Sequence, residues 1–296
     1  MRRARELETQ RTLGDAGNAW PHVGGAHDLD EPVTPTHIVV FDDGSADASA
    51  ALAWTRYLAR SLLMGADPVL AFGYGGSSFL ANWASLQPRK QVEAGYDRGE
   101  IARSVAVAVV SAESGLLAVN HALTDLVVVG RGQVYRDTTG IPGAGKLRGD
   151  FRCPLAVVPV PVACECIQRI AVGVSGSVPS LRALRWCGGV ARALGASVRA
   201  AWATGPLVEW VSETSPSSWR HIAERQLNSW IAPLLDDRVA ADGRAVEEFR
   251  PAVALTAVAQ EFGGGLVVVG AQRSGGLGDT ALQLAGEGRT PVVVVP

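Results

Sequence analysis

The feature that most constrains this chain is LVVVGRG at residues 126–132, with its echo LVVVG at Leu266–Gly270. Four consecutive apolar residues, three of them β-branched, are too short for a helix. They suit a strand covered on both faces, as in a parallel sheet. A Gly directly after such a strand lets the chain turn sharply and brings bare backbone N–H groups near a ligand. In open α/β sheets ligands sit just beyond the carboxyl ends of the strands. A pattern that occurs twice makes the chain a tandem of two similar units.

The order of the remaining segments repeats in the same way. Residues 37–41 (HIVVF) form a predicted strand, the polar turn DDGSADAS follows, and apolar residues at helical spacing run on to Gly65. PVLAFG (68–73), VAVAVV (105–110), LVVVG and PLAVVPV (154–160) supply four more strands, with helices expected over 89–104 and 113–123. After PVACECIQR the series restarts with RIAVGV (169–174), the turn SGSVPS and a helix through Trp186 to Gly195. SVRAAWA, a helix over 220–235, AVEEF (245–249), a helix over 251–262, LVVVG, a Gly-rich loop and PVVVV complete it. Gly44-Ser45 recurs at Gly176-Ser177 and Trp54 at Trp186, both 132 residues on. Five strands alternating with helices in each copy give α/β with parallel sheets, each doubly wound by the right-handed crossover rule. The expected organisation is a disordered leader over 1–35, which mixes Arg, Glu, Gly, Pro and His without apolar period, then domains over 36–161 and 168–296.

Charge and cysteine usage exclude several functions. Lys plus Arg number 27 against 29 Asp plus Glu, so nothing draws the chain to nucleic acid or an anionic membrane. No run of about eighteen apolar residues exists, and the N-terminus lacks the apolar core of a secretory signal. Cys153, Cys164, Cys166 and Cys187 fit neither a redox motif nor a zinc site, and reduced thiols point to the cytoplasm. The five histidines are scattered, and no nucleophile elbow, carboxylate pair or metal motif is present, so no enzyme is expected.

The motifs IVVFDDGSADASAALAW and IAVGVSGSVPSLRALRW, with two LVVVG strands and two Pro-apolar endings, resemble the universal stress protein family in its tandem form. The resemblance spans residues 37–296 and rests on the doubled order of these motifs. It implies a flavodoxin-like fold with strand order 3-2-1-4-5 in each copy. One branch of that family binds ATP through an Asp after the first strand and a Gly-x2-Gly-x9-Gly-(Ser/Thr) loop after the fourth. Glycines of close approach and a helix N-terminus suit phosphates, and a carboxylate suits ribose hydroxyls or a cation.

Carried onto this chain, the resemblance implies Asp43, Gly44, Ser45, Gly130, Gly132, Gly143 and Gly145 in copy one, with Phe72 and Gly73 near adenine. In copy two it implies Ser175, Gly270 and Gly278, with Trp202 and Ala203 near adenine. The match is incomplete: Gln133 and Ala144 replace a Gly and a hydroxyl residue, Ser175 replaces the Asp, and Arg273 and Gln283 stand at Gly positions. Two readings therefore stand. One is a non-catalytic regulator that binds ATP mainly in copy one; the other is a nucleotide-free scaffold for a regulatory protein partner. Asp43-Gly44-Ser45 also suits a helix cap, and Gly130 and Gly270 suit a turn whether or not anything binds. Trp54 and Trp186 read as core, and Lys146 and Arg148 as a solvated basic face. Neither fifth strand contains a charge to blunt its edge, so the two are expected to cover each other in an intramolecular pseudo-dimer.

Overall fold

A computed structural model describes residues 34–42, 44–63, 69–73, 106–111, 125–132, 153–162, 167–205, 216–271 and 278–296. Strand β1 (His37–Asp42) leads into helix α1 (Ala46–Leu62), and β2 (Val69–Gly73), β3 (Ala106–Ser111), β4 (Leu126–Gly130) and β5 (Leu155–Val158) follow. The second half runs β6 (Arg169–Gly173), α2 (Val178–Leu194), β7 (Ser197–Ala203), α3 (Pro216–Asp236), β8 (Ala241–Val246), α4 (Pro251–Phe262), β9 (Leu266–Gly270), α5 (Gly278–Glu287) and β10 (Val292–Val295). The predicted helices over 89–104 and 113–123, Gly65, and the leader up to residue 33 lie outside the described residues.

Local chemistry sets these boundaries. Ser45 caps α1, its Oγ accepting from the Ala48 N–H at 3.1 Å. Helices α2 and α4 each begin with Pro in the first turn and stop at a left-handed glycine, Gly195 (φ 65°) and Gly263 (φ 66°). Each helix turns its small and apolar residues inward: Ala51, Trp54, Leu58 and Leu62 in α1, and Ala183, Leu184, Trp186 and Val190 in α2. Trp54 and Trp186 are both buried, as core residues should be. Helix α5 lies where the sequence suggested a Gly-rich loop. Its signal was present, since Ala281, Leu284 and Ala285 recur at helical spacing and are buried. Strand β8 was expected over 245–249 but pairs over Ala241–Val246, in register from Val198↔Ala241 to Ala203↔Val246. Glu247 and Phe249 lie past the ladder, where Phe249 is 75% exposed.

All ten described strands form one sheet, in the order β2-β3-β1-β4-β5-β10-β9-β6-β7-β8. The second half has the flavodoxin-like order, with β8 outermost, then β7, β6, β9 and β10. The first half differs: β3 pairs with β1 and β2 takes the outer edge, so its order is 2-3-1-4-5 rather than 3-2-1-4-5. Sequence polarity suits the outer place of β8. Strand β8, ADGRAV, carries charges at alternate positions, and Arg199 from β7 grips Asp242 at 2.6 and 2.7 Å while Arg244 meets Glu261 at 2.6 Å. Such charges protect an edge. Strand β3, AVAVVS, and the edge strand β2, VLAFG, both lack charge, so charge does not set their order.

The two halves meet at the centre of the sheet. Strands β5 and β10 pair antiparallel, Val292↔Val157, Val293↔Ala156 and Val294↔Leu155, whereas every other ladder among the described residues is parallel. All four residues of each strand are buried. The first half adds polar ties: the Tyr57 hydroxyl accepts from the Ile167 N–H at 2.9 Å, and Thr34 Oγ1 donates to the Gly189 carbonyl at 3.5 Å. Residues Pro32–Pro296 thus form one compact unit.

Val293 is wholly buried and paired on both sides, to Ala156 and Val268. Val293→Lys places an ammonium group there and is expected to cost more than about 4 kcal/mol, so the variant should not accumulate as soluble folded protein. Hydrogen exchange checks the same seam in the unaltered chain. Amides of Val157, Val158, Val293 and Val294 should exchange far more slowly than those of edge strand β8. Equal rates would show the seam to be open.

Candidate functional site

At the carboxyl ends of β1 and β6 the chain makes the same turn twice. Gly44 (φ 73°) and Gly176 (φ 74°) both adopt the left-handed conformation that a side chain disfavours, and each hands the chain to a helix N-terminus. The two turns then diverge. Ser45 spends its hydroxyl on the cap of α1. In the second half Ser177 makes no side-chain cap bond, and three serines satisfy one another instead. Ser180 Oγ accepts from the Ser175 N–H at 3.1 Å and donates to the Ser177 carbonyl at 2.8 Å, while the Ser175 and Ser177 hydroxyls lie 2.9 Å apart. Ser175 is exposed and uncharged where the resemblance calls for a carboxylate.

Gly130 and Gly270, at the ends of β4 and β9, are fixed by packing. A Cβ on Gly130 would overlap the Asp47 backbone in the first turn of α1, and one on Gly270 would overlap Pro179 in the first turn of α2. Only glycine lets strand and helix approach this closely. The N-terminal half-charge of α1 therefore lies against the β4 turn. There the Asp47 carboxylate accepts a hydrogen bond from the Gly132 N–H at 3.0 Å. Sequence reasoning passed over Asp47, which reads as an ordinary first-turn acid of a helix.

Arg131, between those glycines, reaches into the second half. Its guanidinium donates to the carbonyls of Gly288 at 3.0 Å and Gly286 at 3.5 Å, at the carboxyl end of α5, and to Val160 at 3.4 Å. A cation at a helix C-terminus is favourably placed. The Gly130–Gly132 turn is thereby tied to α1 on one side and to the opposite half on the other.

The adenine-side positions separate the halves further. Trp202 ends β7, directly beside β6, and its ring lies 5.0 Å from that of Trp230 on α3. Trp230 also covers Gly176, where a Cβ would stand 2.5 Å from the indole. The corresponding Cβ on Gly44 would meet no described atom within 4 Å. Phe72 and Gly73 end β2, which β3 separates from β1, so they lie two strand spacings from the β1 turn, about 10 Å. Gly278 (φ 71°) opens α5 with exposed Asp279 in its first turn, where the acid stabilises the helix. Asp43, Gly143, Gly145, Gln133, Ala144, Lys146, Arg148 and Arg273 lie outside the described residues.

Asp125, Cys153 and Cys187 serve the fold. Asp125, just before β4, clamps the start of β1: its Oδ2 accepts from the Thr36 N–H (2.9 Å), the Thr36 hydroxyl (2.8 Å) and the His37 N–H (2.9 Å), with the His37 ring 3.4 Å away. Burial alone would raise this carboxyl, but the hydrogen bonds from His37 and Thr36 outweigh it and hold it below its ordinary value of 3.8. Burial, helped by the Asp125 charge, pushes the Cys153 thiol up to about 12, and burial likewise raises Cys187. Neither supplies thiolate at neutral pH. Among the described residues no three His, Cys, Asp or Glu side chains gather as a metal site, and no helix is long and apolar enough to cross a membrane.

Two predictions follow from this packing. Gly130→Ala and Gly270→Ala should each lose about 1–3 kcal/mol in ligand-free protein, because the new methyl meets backbone, which cannot swing aside; denaturant midpoints check this. Asp125 titrates lower in the folded chain than in the unfolded one, so its clamp contributes fully above the unfolded value. That contribution is lost as pH falls through the lower native value. The stability gap between the unaltered chain and Asp125→Asn should therefore be constant above about pH 5 and narrow progressively below about pH 4. A gap independent of pH would remove the carboxylate from the clamp.

Residues 167–296 match the model of the universal stress protein family. No curated protein matches the chain. A universal stress protein from Archaeoglobus fulgidus superposes with a TM-score of 0.55 at 14% identity, over 88% of this chain and 95% of that one. A universal stress protein of Pseudomonas aeruginosa aligns over 88% of this chain and 93% of its own at 16% identity, with a TM-score of 0.46. The first likeness is one of fold across both halves, while the family model identifies the second half by sequence. Residues 167–296 are thus similar in sequence to the universal stress protein family, and the fold of both halves agrees with it.

Proposed function

We propose that the chain is a non-catalytic, cytoplasmic stress-response regulator of tandem form, whose first half binds one adenine nucleotide of the ATP class. Asp43, Gly44, Ser45, Gly130, Gly132, Gly143 and Gly145 hold it, and the halves act together as an intramolecular pseudo-dimer. The observation that carries this reading lies in the second half, where the Trp230 indole covers the Gly176 turn. On this reading the nucleotide belongs to the first half, where the N-terminus of α1 packs on the Gly130–Gly132 turn. Ser175, with no charge and its hydroxyl engaged by Ser177, gives the second half no carboxylate for ribose or a cation.

The second reading, a nucleotide-free scaffold for a protein partner, draws on one specific observation. The Gly132 N–H, a donor of the kind that cradles phosphate, already serves Asp47. Calorimetric titration separates the two. The first reading expects one adenine nucleotide per chain, weakened at least about tenfold by Asp43→Ala, with turnover no faster than a buffer blank. Two equal sites would overturn the assignment to the first half, and no binding would leave the scaffold. Hydrolysis at about 1 s⁻¹ would overturn the non-catalytic role.

A further inference from the structure

We propose that Arg131 couples the two halves: from the first half it supplies the cation that closes helix α5 of the second, so that a change in the Gly130–Gly132 turn is felt at the end of that helix. The coupling goes beyond the nucleotide reading and holds whether or not a ligand binds. Its basis is a set of three hydrogen bonds. The Arg131 guanidinium donates to the carbonyls of Gly288 at 3.0 Å, Val160 at 3.4 Å and Gly286 at 3.5 Å. Two of these acceptors lie at the end of α5, where a helix leaves its carbonyls without internal partners.

Helix α5 has reason to depend on that cation. At ten residues it is short enough to be marginal on its own. It runs out through Gly286 and Gly288, and glycine is a weak helix former. Its last turn carries Glu287 and no basic residue, so its own charge there opposes the helix dipole. Ala281, Leu284 and Ala285 hold the inner face against α4 and β10, and the Gly288 N–H donates to the Leu284 carbonyl at 2.9 Å. Arg131 adds the positive charge that the last turn lacks. The arginine is itself held by a fixed turn: Gly130 lies on the Asp47 backbone, and the Asp47 carboxylate accepts from the Gly132 N–H at 3.0 Å. Asp47, Gly132, Arg131 and Gly288 therefore form one continuous path from α1 to α5. The turn after β9 has Ala271 at the equivalent place, which has no such reach. The same end of α5 forms a wall of a groove of about 290 Å³ in the second half, where Gln283, Leu284 and Glu287 stand across from Val253, Thr256 and Gln260 of α4. A residue of the first half thus helps to shape a surface of the second.

Native-state hydrogen exchange on the full, ligand-free chain tests the coupling. Arg131→Gln keeps a polar side chain and removes the charge. It should speed the amides of residues 285–288 about two- to fivefold and leave those of α4 within about 1.5-fold. Arg131→Lys keeps a point charge and should fall between the two. Glu287→Lys gives α5 a cation of its own, so in that background the effect of Arg131→Gln should shrink below about 1.5-fold. Transmission is read from the first half. Asp47→Ala frees the Gly132 amide, which should exchange at least about tenfold faster. It should also speed the α5 end about twofold where Arg131 is present and not at all in Arg131→Gln, a non-additivity that a merely structural arginine would not produce. An α5 end unmoved by Arg131→Gln, an effect that persists in Glu287→Lys, or an Asp47→Ala effect that is the same with and without Arg131 overturns the inference. The Glu287→Lys comparison decides it even if Asp47→Ala does not fold.

Discussion

The antiparallel ladder between β5 and β10 is the contact on which the rest of this structure depends. Each half on its own would end in a charge-free, four-residue valine-rich strand with unpaired N–H and C=O groups. Pairing them removes both edges at once and continues the hydrogen-bonded ladder through the middle of a ten-stranded sheet. Because the ladder is antiparallel while its neighbours are parallel, it relates the two halves by a local twofold. The carboxyl ends of β4 and β9 then point in opposite directions, and the turns that follow them lie at opposite ends of the sheet.

That arrangement frees the halves to diverge. Stability of the seam asks only that residues 155–158 and 292–295 stay apolar, and it asks nothing of the turns after β1 and β6. One turn keeps a capped helix with an acid in its first turn. The other has exchanged charge for a closed serine network and an indole lid. Arg131 is the exception, since it crosses from the β4 turn of one half to the end of α5 in the other. Its counterpart after β9 is Ala271, whose N–H simply continues the ladder to the Val295 carbonyl at 2.8 Å. Among the described residues the bridge is on one side.

Much of the fold was legible because strands buried on both faces leave an unmistakable run of β-branched residues. LVVVG, LAVV and VVVV are such runs, and their order fixed the tandem α/β character. Three features were harder to read. Helix α5 was masked by flanking glycines, though Ala281, Leu284 and Ala285 carried its period. Strand β8 was misplaced because its paired residues are half polar, as an edge strand's should be, while Val246 and Phe249 drew the reading downstream. The exchange of β2 and β3 in the first half was not legible, because VLAFG and AVAVVS are both apolar and uncharged and neither marks itself as the edge.

The site was legible in outline and opaque in chemistry, for a related reason. Gly130 and Gly270 stand out as glycines after strands, and a sequence reading assigns such residues to a ligand. Their geometry gives them a sufficient cause without one, because each lets a helix N-terminus lie directly on a strand end. That contact also delivers the helix half-charge to the crevice, so a residue kept for packing creates an anion-attracting corner as a by-product. What such a corner does is then decided by the side chain in the first turn of the facing helix. Asp47 fills the corner with the chain's own charge, whereas Pro179 leaves it without one. The glycines bring a helix N-terminus onto a strand end, and the first-turn residue of that helix sets the charge of the corner.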